Sequence, residues 1–207
     1  MAGKYESTSK KKKKWPWIIG ILIALIIAVL LFLYFYHTDP GTPTLIVETP
    51  QKLSASQTEE FTLDVTVSAL GEARYPAMSM SVSFDSSRLE FLGVEEGNIF
   101  ILSDENSSGQ QLPDWSCNIK NSNDTGVINI MYLDMTGGKN AFSKELLLDD
   151  YNVVLRLKFR LRGSVRPGDV LDLIVEDAVF AASDETQSLA MTTDTLKTKN
   201  GRLVIGE

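Results

Sequence analysis

The sequence predicts an all-β sandwich standing behind a single transmembrane α-helix, and three observations lead there. From Trp17 to Tyr36 the chain carries no charged side chain. From Thr44 onward it breaks into short alternating apolar runs separated by Gly, Asn, Asp, Ser and Pro. Only one stretch, "AFSKELLLDD" at 141–150, has a helical look, and it is short. Repeated short strands with polar turns between them are the pattern of a sandwich or barrel. Long strands with one apolar and one polar face favour two packed sheets.

The N-terminal elements come first. About 20 apolar residues cross a bilayer as a helix, and the uncharged run meets that length, with Trp15, Trp17, Tyr34 and Tyr36 at its ends as interfacial aromatics. A cleavable signal would have an apolar core of about 7–15 residues and a small-residue cleavage site; "YFYHTDPG" offers none. The expected division is a basic tail at 1–14, a signal-anchor helix at 15–37, a linker "TDPGTP" at 38–43 and a β domain at 44–207. Lys10 to Lys14 precede the span, which places the N-terminus in the cytoplasm and the β domain outside the cell membrane, by the positive-inside rule.

The strands follow in order. "TLIVET" (44–49) opens the domain. In "EFTLDVTVSAL" (60–70), Phe61, Leu63, Val65 and Val67 share one side. "AMSMSVSF" (77–84) and "LEFLGV" (89–94) flank a turn at Asp85, Ser86 and Ser87. "WSCNI" (115–119) is expected to turn Trp115, Cys117 and Ile119 inward. "VINIMYLDM" (127–135) turns Ile128, Ile130 and Tyr132 inward, after a turn-rich "KNSNDTG" with Gly126 at positive φ. "NVVLRLKFRL" (152–161) is a long strand. "VLDLIVEDAVFA" (170–181) is one strand, or two with a bulge, and "RLVIG" (202–206) ends the series.

Composition excludes several chemistries. The formal net charge is −7, and residues 1–37 hold six Lys and one Glu, which leaves −12 for the remainder. So acidic a domain is a poor binder of nucleic acid, which is itself a polyanion. It suits solubility or a basic partner. The only histidine, His37, lies at the membrane boundary, which removes His-based nucleophile pairs and metal sites from the β domain. Cys117 stands alone, so no intramolecular disulfide forms, and it reads as a core residue. Carboxylate pairs such as Glu95–Glu96 and Asp149–Asp150 are adjacent in sequence, and on a strand they would face opposite ways. "NSNDTG" (121–126) opens like a calcium loop, but Tyr132 stands where an EF-hand needs its twelfth-position Glu. Asn106 and Asn123 begin N-glycosylation sequons. No catalytic residue, metal or cofactor is expected.

One face attracts a binding reading. Met78, Met80, Val82 and Phe84 must face the core, which leaves Ala77, Ser79, Ser81 and Ser83 on the other side. A row of small side chains is flat and loses little entropy when covered. A partner could cover it, or one of the chain's own loops, or it could stand as a plain exposed face. Asn129, Met131 and Leu133 point the same outward way, ending near Asp134, and Ser116 and Asn118 are expected on that face as well. Exposed Met and Leu on a sheet suggest a contact patch.

Four segments in order resemble the cohesin domain of bacterial cellulosome scaffoldins. "FDSSRLEFLGVEEGNIF" is similar to the family's aromatic-Asp-x-x-x-Leu-Glu-x-x-x-Val-x-x-Gly pattern. "TLIVETPQKLSASQTEEFTLDVTVS" resembles its first two strands, "VEDAVFAA" its eighth-strand segment and "NGRLVI" its closing strand. The resemblance implies a nine-stranded jelly-roll β-sandwich. It also implies a partner, a calcium-loaded helical dockerin module held non-covalently on a sheet face that includes the third, fifth and sixth strands. Members that bind the commonest dockerins carry Asn and Asp anchors on the third strand; those positions fall at Ala77 and Ser79 here. The sixth-strand apolar pair falls at Asn129 and Met131, and the acidic residue after it at Asp134. The partner face is therefore expected at Ala77, Ser79, Ser81, Ser83, Ser116, Asn118, Asn129, Met131, Leu133 and Asp134. The alternatives are a cell-surface carbohydrate-binding module, with Trp115, Tyr132 and Tyr75 as the candidate polysaccharide-stacking rings, or a structural domain of an envelope or secretion assembly.

Overall fold

Every expected alternating run contains a strand, and the apolar sides of the long strands point between two sheets. The computed structural model describes residues 25–29, 41–50, 52–56, 59–101, 111–137, 139–183 and 188–207. Eleven strands stand among them: β1 (Thr44–Val47), β2 (Leu53–Ser54), β3 (Phe61–Val67), β4 (Ala77–Ser83), β5 (Leu89–Glu96), β6 (Ser116–Cys117), β7 (Val127–Leu133), β8 (Val153–Leu161), β9 (Val170–Ala181), β10 (Lys197–Lys199) and β11 (Gly201–Gly206). One sheet runs β10-β1-β3-β8-β5, and the other β2-β11-β9-β4-β7-β6. The two strands beyond the expected nine are β2 and β10. Each is two or three residues long and pairs parallel to a longer strand, β2 with β11 and β10 with β1. Too short to show an alternation, they are held by backbone bonds to a neighbour already in place.

The core lies between the sheets. Leu63, Val65 and Val67 of β3, Met78, Met80 and Val82 of β4, Ile128 and Ile130 of β7, and Leu155, Leu157 and Phe159 of β8 are all buried. Phe84, Phe91 and Phe159 meet with ring centroids 5.5–6.5 Å apart. Burial of an aromatic or Leu side chain contributes about 1.5–3 kcal/mol. The turn after β4 is fixed locally: the Asp85 carboxylate accepts from Ser87 N (3.0 Å), Ser87 Oγ (2.5 Å) and Arg88 Nε (2.6 Å). These bonds, the Ser87 hydroxyl first among them, hold the Asp85 carboxyl below its usual pKa.

Two expectations are corrected. Residues 141–150 form bridges and turns rather than a helix. Phe142 pairs with Tyr75 as an isolated bridge, through Tyr75 N to Phe142 O (2.9 Å) and Phe142 N to Tyr75 O (3.0 Å). Its ring also packs on Phe180, Tyr132 and Trp115. A helix that short is marginal alone, and the buried extended bridge wins. Second, the strand expected at 115–119 stops at Cys117, and the turn-rich stretch after it forms a helix, α1 (Ile119–Thr125). Asn118 caps it, its side chain accepting from Asn121 N at 3.0 Å, as Asn favours. Gly126 ends it at φ 73°, so the expected positive φ is present but serves a helix end instead of a hairpin. Ile119 is exposed rather than inward.

The N-terminal segment is described only in part. The chain divides into two units, Met1–Pro40 and Gly41–Glu207. In the first, the described residues 25–29 are helical, with Leu25, Ile26, Ile27 and Val29 exposed. No helix among the described residues is long and apolar enough to cross a membrane. The rest of the expected span, the basic tail and residues 38–40 lie outside the described residues.

Candidate partner-binding face

The outward residues of β9, β4 and β7 align in four cross-strand rows, with β6 extending one of them. Ala77 pairs with Leu133 on one side and Ala181 on the other. Ser79 stands between Met131 and Val179, and Met131 in turn pairs with Ser116. Ser81 stands between Asn129 and Asp177, and Ser83 between Val127 and Ile174. Met131 and Leu133 are about half exposed, at 50% and 52%. Ser79, Ser81, Ser116, Asn118, Asn129 and Met131, six of the ten expected residues, line one shallow depression of about 560 Å³.

The other four expected residues sit close by with distinct roles. Ala77, Ser83 and Leu133 belong to the same sheet face. Asp134 lies just past β7, where its carboxylate shapes the turn by accepting from Thr136 N (2.8 Å) and Thr136 Oγ1 (2.5 Å). Asn118 does not extend β6; its side chain is committed to the α1 cap. Ser81 Oγ donates to Asn129 Oδ1 at 2.8 Å, which fixes both side chains across β4 and β7.

Sequence reasoning missed the β9 contribution: Ile174, Glu176, Asp177, Val179 and Ala181. Pairing between β4 and β9 shifts between Ser81 and Val82, since Ser81 opposes Asp177 while Val82 opposes Val175. Glu176 is thus the extra residue of a β-bulge. Val175 and Ala178 are buried, whereas Glu176 and Asp177 are both exposed. The only signal available was the adjacent pair of acids interrupting "VLDLIVEDAVFA".

The opposite sheet presents a different outer surface. Its strands are tied by ion pairs: Arg156 to Asp64 (3.0 Å), Lys158 to Glu60 (2.8 Å) and Glu95 (3.2 Å), Arg160 to Glu60 (2.7 Å) and Glu90 (3.6 Å). The hydrogen bond from Lys158 lowers the Glu60 pKa, and its bonds to Glu60 and Glu95 raise that of Lys158. Such exposed pairs add little stability each, but they describe a surface built for water. These pairs all lie off the four rows of the β9-β4-β7-β6 face.

The three rings expected to stack on a polysaccharide are buried or half-buried. Tyr75 is buried, with its hydroxyl donating to Leu189 O (3.3 Å). Tyr132 is buried and donates to Asn140 O (3.0 Å), and burial pushes its pKa up to about 12. Trp115 is half-buried against Tyr132 and Phe142. Cys117 is half-buried, and burial pushes its thiol pKa up, the opposite of an activated thiolate.

The family model of the cohesin domain matches residues 47–199 of the chain. The chain belongs to the cohesin domain family. Solved cohesins share the fold at low identity. One is the cohesin of OlpA in complex with Doc918 from Clostridium thermocellum, 18% identical with a TM-score of 0.55, covering 80% of this chain and 99% of that one. Another is the third cohesin of ScaC in complex with the ScaB dockerin from Acetivibrio cellulolyticus, 12% identical, TM-score 0.54, with the same coverage of 80% and 99%. A third is the cohesin of OlpC in complex with Doc435 from Clostridium thermocellum, 16% identical, TM-score 0.54, covering 79% of this chain and 93% of that one. No curated protein sequence matches the chain. Cohesin domains are non-catalytic modules, which agrees with the expectation that this chain is not an enzyme.

Proposed function

We propose that this cohesin domain binds a dockerin or divergent dockerin-like module non-covalently through the β9-β4-β7-β6 face, and that residues 15–37 anchor it in the cell membrane with the domain outside. The observation that carries the face assignment is the contrast between the two outer surfaces. One sheet closes its charges into ion pairs, while the other offers small side chains with half-exposed Met131 and Leu133 among them. Small and apolar residues free of ion pairs lose little on being covered. The dockerin complexes of the similar cohesins support the class of partner. With Ala77 and Ser79 at the third-strand positions, the contact relies on shape and apolar area there, not on an Asn–Asp pair.

The test is calorimetric titration of the chain with each dockerin encoded in the same genome, alongside Ser79→Arg/Met131→Arg. A bulky cation at each position should weaken binding about a hundredfold or more, since a central interface position can carry about 2 kcal/mol or more. A folded double variant that binds as tightly as the native chain would sink the face assignment.

A further inference from the structure

The four rows differ in polarity in a way that specifies the partner. The first two, Ala181–Ala77–Leu133 and Val179–Ser79–Met131, hold small and apolar side chains. The fourth, Ile174–Ser83–Val127, is similar, with Ile174 46% exposed. Between them runs one polar band: Glu176 and Asp177 at the bulge, then Ser81 hydrogen-bonded to Asn129. In a regular strand one acid would point inward; the bulge turns both outward, side by side. Among the described residues no ion pair reaches either carboxylate.

That placement matters once the face is covered. A carboxylate at an interface rim stays hydrated, whereas one with apolar rows on both sides loses water when a partner seats. A desolvated charge left unpaired costs several kcal/mol, so a partner that merely packed on the apolar rows would be repelled by its middle. Resting on the reading that the partner occupies this face, we propose that the partner is an apolar helical surface interrupted by a lysine or arginine that lands on Glu176 and Asp177. Arginine fits better, because its planar fork can address two carboxylates at once. The dimensions suit a helix. The strands β9 and β7 flank β4 at two strand spacings, about 9.6 Å apart, close to the 10–12 Å diameter of a helix with its side chains. Successive outward rows lie about 7 Å apart along β4, little more than one helical turn of 5.4 Å. The cation should therefore sit about one turn from the residue that meets Met131.

A displayed library of two-helix scaffolds, randomised on one helical face and selected on the full chain, provides a probe that needs no known partner. Clones are sorted by whether they bind Met131→Arg. Those lost on Met131→Arg should carry Lys or Arg on the randomised face and should bind Glu176→Gln/Asp177→Asn at least about tenfold more weakly, with slower association that becomes salt-insensitive. Thermal unfolding of the amide variant, whose changes are confined to exposed side chains, should match the native chain. Clones that depend on Met131 yet bind the amide variant with native affinity would overturn the cation. A selection yielding only clones indifferent to Met131→Arg would overturn the face reading, and the cation with it.

Discussion

Asn123 shows how much one polar side chain can settle. It lies on α1, and its amide reaches the open edge of β5, accepting from Phe91 N (2.9 Å) and donating to Phe91 O (2.8 Å). It fills the place of a missing neighbour strand and links the end of one sheet to the helix that leads into the other. An edge strand otherwise leaves such groups to water or to a second chain. Asn123→Ala strips both bonds from a partly buried pair of backbone groups, and should lower unfolding stability by about 1–3 kcal/mol. Urea titration reads this as a lower midpoint at an unchanged slope; a midpoint equal to the native one would show that water replaces the amide without cost. The same residue begins a sequon, yet its amide is already committed, so the folded domain offers no free nitrogen there. Gly126, next in the same segment, has a local reason of its own. A Cβ there would stand 2.9 Å from Phe84 O, at φ +73°, and only glycine meets both conditions at little cost.

At the scale of the element, legibility followed period. The long strands β3, β4, β7, β8 and β9 announce themselves by alternation, because a buried face imposes a two-residue repeat over seven to twelve residues. The small row on β4 and the Met131–Leu133 row on β7 could be read for the same reason. The segment at 119–125 could not, since Asn, Ser, Asp and Thr read as turn formers and only the cap at Asn118 and the contact to Phe91 select the helix. The segment at 141–150 failed the other way: Phe142 is drawn into the aromatic cluster, and its helical appearance yields to that burial. Most instructive is β9, where one extra residue reverses the parity that sequence reading depends on. Because Val175 already opposes Val82 and Asp177 opposes Ser81, deletion of Glu176 should leave the register intact on both sides. A chain lacking Glu176 is expected to unfold cooperatively within a few degrees of the native Tm. Deleting Val179 should instead turn Phe180 out of the core and cost about 3–5 kcal/mol, as loss of a buried Phe does. Similar thermal curves for the two deletions would contradict the bulge.

For the molecule as a whole, charge and connectivity divide the labour. The basic residues before Trp15 and the −12 beyond residue 37 are the charge pattern that the proposed anchoring calls for. Protease added to intact cells should cut near the Gly41 end and release a resistant fragment of about 41–207 that still unfolds as one cooperative unit. Cleavage seen only after the cells are broken would reverse the topology. A module tethered as proposed would also be pulled. Its first strand, β1, is gripped along both sides, antiparallel to β3 through Leu45, Ile46 and Val47 and parallel to β10 through Thr44, Leu45 and Ile46. A tug entering at Thr44 in line with the strand must slide it against two neighbours at once, so the hydrogen bonds share the force instead of opening one after another. The three-residue strand β10, invisible in the sequence and trivial in area, thereby becomes part of a mechanical clasp at the point where tension would enter the domain.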